Sequence, residues 1–131
     1  MIILALRTDS PVTELYLLHD TEITAELSIE TGRELAQKLP ALVADFMSQN
    51  NVELNGLDGV ICFAGPGSFT GLRIGHTYAN TLAYSLSAPI VQKPGDNWVL
   101  DGVGALIAGE NSKVIIPQYG SEANITKPKS I

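Results

Sequence analysis

The stretch IILALRTDSPVTELYLLHDTEITAELSI, residues 2–29, decides the fold class. Residues 2–7 are almost entirely apolar, as suits a strand covered on both faces. Thr8-Asp9-Ser10-Pro11 then reads as a turn. Two strand-like runs follow, about 13–19 and 22–29, split by His19-Asp20-Thr21, and they alternate as a hairpin does. Three strands without an intervening helix do not open a Rossmann unit.

Thr31-Gly32-Arg33-Glu34 fits a capping box, Thr31 bonding the Glu34 amide and Glu34 reaching back. Behind it Leu35, Leu39, Leu42, Val43, Phe46 and Met47 fall on one helical face up to Asn50-Asn51, with a kink expected at Pro40. Asp58–Ala64 reads as a second buried strand. Gly65-Pro66-Gly67 is a tight turn, about Ser68 to Leu86 a helix, and Pro89-Ile90-Val91 a short strand. Gly102–Ala108 and Lys113–Ile116 are expected to pair as a hairpin around Gly109-Glu110-Asn111-Ser112. The order predicts an α/β layer with a mixed sheet, in which an antiparallel meander leads into parallel strands. That is the ribonuclease-H-like or actin-like half-domain. The expected division is a lobe over 1–92 and a short linker, hairpin and tail over 93–131.

With 131 residues, 45% hydrophobic and 17% charged, a single folded domain is expected. The formal charge of −6 argues against a protein that grips nucleic acid unaided. Met1–Leu6 lacks the pattern of a secretory signal, and no run approaches the roughly 18 apolar residues of a membrane span, so a cytoplasmic location without membrane contact is expected. The single cysteine, Cys62, lies in the apolar run Val60–Phe63 and reads as a core residue.

The segment Gly65-Pro66-Gly67-Ser68-Phe69-Thr70-Gly71-Leu72-Arg73-Ile74-Gly75 follows a strand and opens a helix. Free amides at such a place can face phosphate, which makes Gly65, Gly67, Ser68 and Thr70 a candidate anion loop. The alternative is a glycine turn with Ser68 as the helix cap. No lysine follows Gly71, so it is not a Walker loop. Gly71, Gly75, Ala79 and Ala83 recur every four residues and form a strip nearly free of side chain. Leu72, Ile74, Tyr78 and Leu82 flank it, and Ser68 stands at its head. Such a strip admits a second backbone closely. It serves either this chain's own first helix or a helix of a partner. Arg73, His76, Asn80 and Tyr84 fall on the other side, where His76 reads as solvated. No catalytic constellation, metal-ligand spacing or cofactor motif stands out.

The eleven residues from Gly65 to Gly75 resemble the signature of the TsaB family. Ile2–Leu6 resembles that family's first strand. Pro117-Gln118-Tyr119 together with Ile125-Thr126-Lys127-Pro128-Lys129 resembles its C-terminal tail. The resemblance implies an actin-like (ASKHA) fold and a pseudo-enzyme that pairs with TsaD, the paralogue that transfers threonylcarbamoyl to adenosine of transfer RNA. An ATPase, TsaE, joins that assembly, and tRNA is met only through the complex. Three features depart from the family. Arg7 stands where an acidic residue is usual, and arginine cannot ligate a cation. Arg33 is kept without the histidine that often follows. Most of the second lobe is expected to be missing. Two other readings stay open: a degenerate actin-like phosphotransferase or peptidase, and a homodimer through the 71–83 strip, formed when the chain is alone.

Overall fold

The computed structural model describes residues 1–120. The expected tail motif Ile125–Lys129 lies outside them. The strands are β1 (Ile2–Arg7), β2 (Val12–His19) and β3 (Glu22–Glu30), then β4 (Gly59–Phe63) and β5 (Ile90–Lys93). The helices are α1 (Leu35–Gln49), α2 (Phe69–Leu86) and α3 (Trp98–Ile107). The sheet order is β3-β2-β1-β4-β5. β1 runs antiparallel to β2, with Arg7 opposite Glu14, and parallel to β4, with Leu6 opposite Cys62. β4 and β5 are parallel. This is the mixed sheet that the order of elements predicts, a meander leading into parallel strands.

The strand period of two explains how β1 serves two cores at once. Leu4 and Leu6 join Leu15, Leu17, Val60 and Cys62 under α1 and α2. Ile3 and Ala5 join Ile61, Phe63 and Val91 under α3. A strand buried on both faces reads as an unbroken apolar run, as 2–6 does.

The expected hairpin over 102–116 does not form. Residues 98–107 make a helix instead, burying Trp98, Val99, Gly102, Val103, Ala105 and Leu106 at helical spacing. The second sheet face requires a cover, and Gly102 lets the helix sit against Ile61, where a Cβ would collide with that side chain. Residues 113–116 are not a strand.

The capping box is also absent. A 3-10 turn, Gly32–Glu34, leads into α1, and Thr31 makes no side-chain cap. Its hydroxyl instead meets that of Thr13 at 2.8 Å, in the interior. Glu34 pairs with Lys38 at 2.7 Å, which lowers the Glu34 pKa. Pro40 lies inside α1.

Candidate functional site

The helix strip lies against this chain's own sheet. Gly71 and Gly75 both face Thr8, in the turn after β1, and a Cβ on either would collide with Thr8. The Thr8 hydroxyl donates to the Gly71 carbonyl at 2.7 Å. Ala79, Leu82 and Ala83 are buried in the core under α1 and α2, and Leu72 in the core under α3. The close approach written into Gly71 and Gly75 is therefore taken up by a turn of the same molecule. At Gly71 and Gly75 the nearest neighbour is Thr8, not the first helix.

What α2 offers outward is the flank of the strip. Ile74 and Tyr78 are half-buried, and Thr70, Arg73, Thr77 and Thr81 are exposed. With Ala36, Leu39 and Pro40 of α1 they line a groove of ≈ 480 Å³ between the two helices. Burial raises the Tyr78 phenol above its ordinary value.

The glycine loop is tied to its own chain at Gly65, Gly67 and Ser68, although residues 66–70 are exposed. Gly65 has φ +121°, and a Cβ there would collide with the Gln118 carbonyl. Gly67 is pressed against Asp9. The Ser68 amide, one of the donors that an anion would need, already gives its hydrogen to the Asp9 carbonyl at 2.8 Å. The Ser68 hydroxyl accepts from Gly71 N at 3.2 Å and caps α2. Thr70 is exposed at the first turn.

The C-terminal ends of β1 and β4 are where a parallel layer would seat a ligand. Arg7 stands there. Its guanidinium makes two 2.8 Å hydrogen bonds to the Asp9 carboxylate and lies 3.8 Å over the Phe63 ring. The bond to Asp9 raises the Arg7 pKa. Trp98 presses edge-on to both Tyr16 and Phe63, each at 5.8 Å.

His76 contradicts its expected place on a solvated face. It is buried, with Cys62 Sγ 3.7 Å from its Nδ1. Burial, with a further contribution from Asp9, pushes the Cys62 thiol well up. Asn80 likewise turns to protein and clasps Ile115 through two hydrogen bonds of 3.0 and 2.9 Å. Arg73 and Tyr84 are exposed, as expected. Among the described residues no three His, Cys, Asp or Glu side chains gather as a metal site. No described helix is long and apolar enough to cross a membrane.

Residues 27–92 match the family described as TsaD: tRNA N6-adenosine threonylcarbamoyltransferase. The matched span runs from β3 through β5. The tRNA threonylcarbamoyladenosine biosynthesis protein TsaB of Bacillus subtilis (strain 168) is 32% identical over 69% of this chain and 39% of its own length. A tRNA N6-adenosine threonylcarbamoyltransferase of Fervidobacterium nodosum is 27% identical over 70% of this chain and 32% of its own. The solved structure of YeaZ from Pseudomonas aeruginosa superimposes with a TM-score of 0.66 at 30% identity, covering 71% of this chain and 43% of that one. The chain thus spans less than half the length of these relatives.

Proposed function

We propose that this chain, which belongs to the TsaB/YeaZ family of tRNA threonylcarbamoyladenosine biosynthesis, is a non-catalytic subunit that binds and supports a TsaD-type threonylcarbamoyltransferase. The observation that carries the reading is the outward side of the α1–α2 pair. Ile74 and Tyr78 stand half-exposed beside Ala36, Leu39 and Pro40 in one apolar-lined groove. Helices of a partner can pack into such a groove by ridge and furrow. Both helices fall within residues 27–92, which match the family that TsaD itself names. Two related chains can therefore present the same helical layer to each other, in a quasi-symmetric pairing.

Charge and chemistry support the accessory role. At a net −6 the chain lacks the basic surface that holds RNA, so tRNA is met through the partner. Arg7 fills the end of β1 with an ion pair to Asp9 and an aromatic seat on Phe63, at the position where the family resemblance places an acidic residue. A TsaE-type ATPase joins the same assembly, in the cytoplasm.

The test is calorimetry and light scattering of the purified chain with the TsaD of its own organism. A one-to-one complex is expected. Ile74→Glu and Tyr78→Glu should weaken it at least about tenfold, the equivalent of about 1.4 kcal/mol; because both side chains also pack on the core, binding is compared at a temperature where circular dichroism shows each variant folded. No complex, or a complex indifferent to both changes, overturns the reading. Tight binding of magnesium-ATP with phosphate release by the lone chain would favour a phosphotransferase instead.

A further inference from the structure

The two edges of the sheet differ. β5 is four residues long, and the segment 111–116 lies along it. Ser112 N bonds the Ile90 carbonyl at 2.8 Å, and the Asn111 side chain accepts from Ile90 N at 3.1 Å. Gln92 gives its amide nitrogen to the Ile116 carbonyl at 2.9 Å. β3 is nine residues long and pairs on one side only, with β2. Among the described residues no backbone bond beyond that pairing reaches 22–30. Every second residue of such a strand turns its N–H and C=O away from its neighbour, and these groups form a row that another strand can pair with. β3 carries neither proline nor lysine to blunt that edge. Its register with β2 shifts at Leu17/Leu18, which leaves residues 25–30 in unbroken pairing with 12–17.

The two faces of this run carry different chemistry. Ala25 and Leu27 lie opposite Leu17 and Leu15 and pack on the core beneath α1. Ile29 continues that face and is 38% exposed. Glu26 and Glu30 stand on the other face, both exposed, opposite Tyr16 and Val12. Glu14 lies between them, one strand further in. Among the described residues none of these three carboxylates has an ion pair. Arg7, opposite Glu14 on β1, is already bonded to Asp9.

This charge selects the occupant. In a two-fold antiparallel pairing of two copies, the carboxylates of both share one face. Centred on Glu26 or on Ser28, the pairing sets glutamate directly against glutamate, which destabilises it. A strand of opposite charge meets no such opposition. We propose that the outer edge of β3 takes up an extended segment of a partner protein as a further strand of the sheet. The segment bears lysine or arginine toward Glu26 and Glu30 and apolar side chains toward Leu27 and Ile29. Backbone bonds supply the hold, and alternate side chains supply the choice. Glu26 and Glu30 are four positions apart on one face, so the cations of the segment recur at every fourth residue, with apolar residues on its other face. The groove between α1 and α2 uses none of these residues, so the inference does not rest on the TsaD reading.

The test uses the full chain and a synthetic peptide with valine at every second position and lysine alternating with threonine between them. A second peptide carries glutamate in place of lysine. Hydrogen exchange followed by nuclear magnetic resonance maps the site at low salt and neutral pH. The lysine peptide should slow exchange at alternate amides of residues 25–30 and leave α1 and α2 unchanged. It should bind at least about tenfold more tightly than the glutamate peptide, and Glu26→Lys with Glu30→Lys should reverse that preference, the scale of two cross-strand charge pairs. Both side chains are exposed, so circular dichroism of the double variant should match the parent. No slowing at β3, equal binding of the two peptides, or a preference that the double variant keeps overturns the proposal. Slowing at β3 when the chain alone is concentrated would mark a second copy as the occupant and overturn it too. If the double variant does not fold, the two peptides on the parent chain decide.

Discussion

The side chain of Thr8 fills the space that a side chain on Gly75 would need. Thr8 lies under α2, donates its hydroxyl to the Gly71 carbonyl at 2.7 Å, and leaves Gly75 no room for a Cβ. The contact joins the turn after β1 to the second turn of α2 and so fixes how the glycine loop sits over the sheet.

Gly75→Ala should therefore lower stability, although alanine favours a helix by about 1 kcal/mol over glycine. The collision with Thr8 is expected to outweigh that gain, with a net loss of about 1–3 kcal/mol. Gly75→Leu should melt far lower or fail to fold. Adding Thr8→Ala to Gly75→Ala should recover part of the loss. Urea unfolding of the four proteins in a double-mutant cycle measures the coupling. Strictly additive losses would show that the two residues do not share this space.

The Thr13 and Thr31 hydroxyls bond each other at 2.8 Å in the interior. Thr31 also reaches the Pro11 carbonyl at 3.4 Å, so it is removal of Thr31 that strands its partner, which costs about 1–3 kcal/mol. Thr31→Val should reach that range. Thr13→Val with Thr31→Val should cost less than the two single changes added together. Denaturant midpoints provide the comparison, and equal or greater loss in the double variant would refute a paired role.

Tyr16 is held protonated to about pH 12, chiefly by desolvation and then by its hydrogen bond to Glu14. An unfolded tyrosine ionises near pH 10. The folded value is raised, so the contribution to stability is whole below about pH 10 and is lost as pH climbs toward 12. Titration of phenolate absorbance should show a late-ionising group among the four tyrosines. Tyr16→Phe should lack that late step and lose stability less steeply over the same window. A variant that keeps the step would assign it elsewhere, Tyr78 being the other buried candidate.

Trp98 anchors α3 beneath the rings of Tyr16 and Phe63. Trp98→Ala should cost about 3–5 kcal/mol, the range for emptying an aromatic site. It is the only tryptophan, so circular dichroism must follow the unfolding. A loss below about 1 kcal/mol would mean that α3 closes over the gap.

Seven of the eight regular elements could be read from the chain, because each carries its own period. β1 is continuously apolar, β2 alternates, and α1 repeats Leu35, Leu39, Val43 and Met47. α3 could not be read in this way. Gly102, Gly104, Val99 and Val103 weaken its helical propensity, and it exists because the face of Ile61, Phe63 and Val91 has to be covered. Thr31 and Glu34 matched a capping pattern, but a buried hydroxyl partner on β2 and a nearby Lys38 outcompeted the backbone amides.

The mixed α/β layer, the Gly65–Gly75 signature and the helix edge stripped of side chain can all be read along the chain. Those properties are local, since they depend on spacings of two to four residues. That Thr8 fills the strip, that Asp9 takes the Ser68 amide, and that His76 lies buried against Gln92 with Ile116 behind it emerges once the layers pack. These contacts join residues far apart in the chain. No periodicity links Thr8 to Gly75 or Gln92 to Ile116. Packing chooses such partners, because each buried polar group must find a bond and each gap a side chain once the layers have closed.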